Sequence, residues 1–158
     1  MPNEGHVGAS VANGSAELRL VWREDRYALV FTHEGGELRS VPSDQFDTPV
    51  FTDAHQQGEL LFASGAEGAR QWSMSVEPYE GGFLLDTACR VTKPVDRAAA
   101  SCFDGEGWGV GSVERDDQPP RISRDASASR LEAVPDEPSA QPYTVRYRVR
   151  VVAAAGER

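Results

Sequence analysis

The sequence predicts an all-β protein, an antiparallel two-sheet β-sandwich of jelly-roll or Ig-like topology, with a closed β-barrel as the alternative. Three observations predict it. Apolar and polar residues alternate with a period of two along several short segments. Turn residues separate those segments at intervals of roughly 8–12 positions. Gly or Pro interrupts almost every window long enough for an amphipathic helix, which leaves no crossover helix for a parallel sheet.

Residues 1–14 are small, polar and glycine-rich, without a periodic apolar face, and read as a flexible tail. From residue 16 the chain alternates, with Leu18, Leu20 and Trp22 on one side and Glu17, Arg19, Val21 and Arg23 on the other. Glu24-Asp25 turns the chain, and Tyr27, Leu29 and Phe31 resume the pattern, so residues 16–32 form a hairpin. A turn at 33–36 leads into a short third strand at 37–41. Residues 42–57 read as a loop anchored in the core by Val50 and Phe51. Strands return at 59–63 and at 70–76, where Trp72, Met74 and Val76 share a face. In the run 83–91, Phe83, Leu85, Thr87, Cys89 and Val91 face one way, and Asp86 and Arg90 the other.

Residues 92–141 form a long, loop-rich, acidic segment in which only 109–114, 121–123 and 129–133 have strand character and 97–100 suits a turn of helix. The last strand is the clearest, with Tyr143, Val145, Tyr147, Val149 and Val151 opposed to Thr144, Arg146, Arg148, Arg150 and Val152. Residues 153–158 read as a frayed tail. The chain is thus one domain, 15–152, and its long weakly patterned segment suits a sandwich with a crossover better than an even barrel. The expected core includes Leu18, Leu20, Trp22, Leu29, Phe31, Trp72, Met74, Phe83, Leu85, Tyr147 and Val149.

A formal net charge of −9 has the wrong sign for wrapping a phosphate backbone, which argues against nucleic acid as a partner. The apolar runs are too short to cross a membrane. The N-terminus has neither the basic start nor the apolar stretch of a signal peptide, so a cytoplasmic location is expected unless the sequence omits a leader. Cys89 and Cys102 stand thirteen positions apart and match no close-spaced metal or redox pattern. Both are expected as free thiols with no disulfide, Cys89 inward on its strand and Cys102 in or near a loop.

Candidate chemistry is sparse, and no motif is specific enough to name a family. His6, His33 and His55 are dispersed, so no metal site is expected. Asp53 and His55 are the tightest acid–imidazole pair, able in principle to form a base, although a solvated loop is the plainer reading. The glycine-rich run 105–111 has Ser112 where a third phosphate-loop glycine would stand, and no helix follows. Its glycines let Trp108 lie back on the body, the competing reading being a flap with an aromatic platform. Arg146, Arg148 and Arg150 line one strand face, as an anion or acidic-partner site or as partners of Glu17 or Asp86 across the sheet. Asp86 and Arg90 carry the same two readings.

These features point first to a non-catalytic binding or protein-interaction module, suited by its acidity to a basic protein partner. The alternative is a small-ligand carrier or carbohydrate-active enzyme whose pocket uses Trp72, Trp108, Asp53 and Asp86. No cofactor is expected. A flat acidic face would favour the first reading, and a deep concave pocket with converging polar groups the second.

Overall fold

A computed structural model describes residues 2–113, 119–124 and 130–154. Thirteen strands occur among them: β1 (Val7–Asn13), β2 (Ala16–Arg23), β3 (Arg26–His33), β4 (Gly36–Ser40), β5 (Asp53–Gln57), β6 (Leu60–Glu67), β7 (Arg70–Tyr79), β8 (Gly82–Val91), β9 (Ser101–Gly105), β10 (Trp108–Ser112), β11 (Arg121–Arg124), β12 (Arg130–Val134) and β13 (Tyr143–Ala153). They pair antiparallel into a seven-stranded sheet, ordered β1-β2-β3-β4-β9-β12-β11, and a six-stranded sheet, ordered β10-β13-β8-β7-β6-β5. Neither sheet closes into a barrel, and the architecture is consistent with a sandwich. No helix of the described residues is long and apolar enough to cross a membrane.

The first eight strands are two successive meanders, one per sheet, so the Greek-key connections of an Ig-like sandwich or jelly roll are absent from that half. The rest of the chain shuttles between sheets and inserts β9 beside β4 and β13 beside β8. Inward alternation packs one core, in which every residue of the expected set is buried, including Leu18, Phe31 and Phe83 at 0% exposure.

Three segments differ from their sequence readings. Residues 7–13 form β1, hydrogen-bonded along β2, where residues 1–14 read as a tail. Val11 is buried there, and the Asn13 side-chain amide donates to the carbonyls of Glu80 and Gly82, which ties β1 to the opposite sheet. Residues 53–57 form edge strand β5, although nothing in Asp-Ala-His-Gln-Gln has strand propensity. Pairing with β6 supplies what propensity lacks. Residues 97–100 form no helix: Ala99 bridges Asp47, and β9 follows at once. Ala153 belongs to β13, not to a tail, while residues 155–158 lie outside the described residues, as do Glu114 and Ser129 at the ends of two expected strands.

Candidate functional site: a chamber between the sheets

The site begins with a mismatch in strand length. β3 has eight residues and its neighbour β4 only five, so β4 pairs with residues 30–33 alone. Ser40 Oγ accepts from the Leu29 amide and Val41 still donates to Cys102, and the edge of β3 before Leu29 has no strand partner on that side among the described residues. The residues that follow cross to the other sheet as a strap, in which Phe51 accepts a hydrogen bond from the Tyr27 amide at 2.7 Å and Thr52 donates to Ser64 at 2.9 Å. Gly65 provides the seat for the strap, because a Cβ there would lie 2.1 Å from the Val50 carbonyl oxygen. Beside that edge opens a chamber of about 450 Å³.

The chamber wall carries inner-face residues of both sheets: Leu29 and Phe103 from one, Met74 and Leu85 from the other, with Phe51 of the strap. Among them stand two buried hydroxyl residues, Thr87 at 3% exposure and Ser101 at 8%. Ser101 Oγ lies 2.7 Å from the Tyr147 hydroxyl, and Tyr147 is the cross-strand partner of Thr87. Burial pushes the Tyr147 phenol well above its ordinary value, so it stays protonated. The mouth is charged. Arg26 is held by Asp25 and Arg39 by Glu37, while Glu4 caps the Glu24 amide.

A buried cation stands at the other end of the strap. Arg70, 2% exposed, donates to Asp47 at 2.8 Å, to Glu137 at 3.0 Å and to the Arg97 carbonyl at 2.8 Å, and its guanidinium lies 5.9 Å from the centre of the Trp72 ring. Burial opposes ionisation of Glu137, but hydrogen bonds from Arg70, the Tyr143 hydroxyl and the Ala99 amide outweigh it and hold the carboxyl below its ordinary value. Burial and the same carboxylate push Tyr143 up to about 12. This network fastens residues 47, 97–99 and 137 to β7.

The residues singled out in the sequence divide between two places. Asp53, His55, Asp86 and Arg146 border one open hollow on the outer face of the six-stranded sheet, and Asp53 and Arg90 border its neighbour. Arg146 pairs with Asp86, the cross-sheet pairing the strand pattern allowed, whereas Glu17 pairs within its own strand with Arg19. Arg150 donates to the Ser112 carbonyl, and Arg148 lies on the same outer face. Asp53 and His55 sit on β5 instead of in a loop. The His55 ring stacks on Phe62, and no hydrogen bond joins it to Asp53.

Trp72 and Trp108 are both core residues at 3% exposure, and neither indole face is offered as a platform. The glycine-rich run is the corner where the chain passes from β9 in one sheet to β10 in the other. Gly107, with φ of 82°, lies against Gly35, and its carbonyl takes hydrogen bonds from His33 and Ala154. Cys89 and Cys102 are free and buried, with Cys102 inside β9 and not in a loop. Burial raises both thiols, Cys102 to about 11, which leaves them poor nucleophiles. Among the described residues no three His, Cys, Asp or Glu side chains come together to hold a metal.

Thr87 and Tyr147 were legible as inward residues of their strands, and a hydroxyl in an otherwise apolar row was the available signal. Ser101 and the Arg70–Glu137 pair carried none, since their partners come from distant segments. Compared with known proteins, the chain matches no family model, no curated protein and no solved structure.

Proposed function

We propose that the protein is a small-molecule binding or carrier protein that takes an apolar ligand between its two sheets. The observation that supports this reading is the chamber of about 450 Å³, within the size range of ligand sites, apolar in its depths and set with a few hydroxyls. Hollows of about 540 and 670 Å³ also open on the outer face of the six-stranded sheet, and what sets the chamber apart is its lining by inner-face residues of both sheets. A basic protein partner, which the charge of −9 favours, would need acids gathered on one face. Instead Arg90, Arg146, Arg148 and Arg150 share one outer face with Asp53 and Asp86, and on the other Arg39 and Arg130 flank Asp104 in register.

The test is binding of a neutral apolar fluorophore, N-phenyl-1-naphthylamine, to the wild-type protein and to a Leu85→Trp variant whose added bulk fills the chamber. One-to-one binding by the wild type, lost in a variant whose circular dichroism is unchanged, is the expected result. Equal binding by both proteins would place the dye elsewhere and end the proposal.

A further inference from the structure

Resting on that reading, we infer the chemistry of the ligand: an apolar skeleton that buries a neutral hydrogen-bond acceptor, a carbonyl of the ketone or ester kind, against Thr87 and Ser101. Thr87, a residue only 3% exposed, lines the chamber; its hydroxyl has no hydrogen bond to another described residue and is not sealed off from solvent, so the access it keeps is to the chamber. A hydroxyl that faces a chamber from an apolar wall has its hydrogen to give to whatever fills the space. Ser101 supplies a second. Between Ser101 and Tyr147 only one hydrogen is used, and the phenol, the stronger acid, is the better donor. With Tyr147 as the donor to Ser101, the Ser101 hydrogen is left for the chamber, which Ser101 lines and Tyr147 does not.

Two unused donors in one apolar chamber select an acceptor with two lone pairs. They also select against charge. The cations of the lining, Arg23, Arg26 and Arg39, belong to strand ends at the mouth, with Arg26 and Arg39 already engaged by carboxylates. A carboxylate carried to Thr87 would lose its water, while Arg23, the lining cation with no carboxylate partner among the described residues, is an exposed residue at the end of β2. A hydrocarbon would leave both hydroxyls unpaired.

The experiment measures displacement of N-phenyl-1-naphthylamine by three compounds of one skeleton, fluorene, 9-fluorenone and fluorene-9-carboxylate, from the wild type, Thr87→Val and Ser101→Ala. The wild type should bind the ketone roughly tenfold more tightly than the hydrocarbon and the carboxylate most weakly. Thr87→Val, of the same shape, should keep its affinity for fluorene and lose most of the ketone preference, and Ser101→Ala should lose part of it. Equal binding of ketone and hydrocarbon by the wild type, a preference for the carboxylate, or a preference untouched by Thr87→Val would each overturn the inference while leaving the chamber reading intact. Failure of the dye and all three compounds to bind would overturn the chamber reading, and this inference with it.

Discussion

The Thr87 hydroxyl, set among Met74, Leu85 and Phe103, faces the chamber without a hydrogen bond to another described residue, a polar group in a wall that an apolar side chain of the same shape would suit better. Thr87→Val should therefore stabilise the ligand-free protein by about 1 kcal/mol, raising the melting temperature by roughly 2–4 °C in calorimetry. Arg70 behaves in the opposite way. Replacing it with Leu leaves the largely buried Glu137 and the half-exposed Asp47 without their cation, and stability should fall by about 3 kcal/mol in urea unfolding. The carboxyl of Glu137 is held below its ordinary value in the folded state, so its contribution is complete above the unfolded value near 4.3 and is lost as pH falls through the lower, folded one. Wild type and Glu137→Gln should accordingly differ in stability at pH 7 and converge on acidification below about pH 4. The thiols offer a third measurement at this scale. Cys89 and Cys102, both buried with raised values, should be silent to a thiol reagent in the native protein and react as two groups on unfolding.

Among the elements, those whose side chains carry the inward alternation were legible, and those held by their neighbours were not. β7, β8 and β13 each set three or more large apolar residues on one face, and period two found them. β5 has only Ala54 as an apolar residue and exists because β6 lies alongside, and β9 is five residues whose inward members include Ser101 and Phe103. β1 is glycine- and alanine-rich, with Gly8 placed where a Cβ would meet the Tyr27 ring. It covers the flank of β2, so a protein lacking residues 1–13 should expose that flank as an edge and show concentration-dependent light scattering that the intact protein does not. The chamber was illegible for a related reason. It opens beside β3 where β4, three residues shorter, stops, a relation between strands that neither strand carries alone.

At the scale of the whole molecule, the alternation implied two sheets facing each other, and the structure has them. The hollow between them is a matter of how far apart the facing strands are held, which no single strand encodes. A ligand that binds only the folded chain should raise its stability by about 2.7 kcal/mol at a free concentration a hundred times its dissociation constant. In the Leu85→Trp protein, a thermal melt with the same ligand should show no shift. The strap adds a matter of time to these equilibria. The Tyr27 amide is bonded to the Phe51 carbonyl, and Phe51 is also a wall of the chamber. Lifting Phe51 would thus uncover that amide to solvent deuterium and unlatch the cargo in one movement. On the proposed carrier reading, the exchange rate of that single backbone proton would report on ligand release and slow when the chamber is filled.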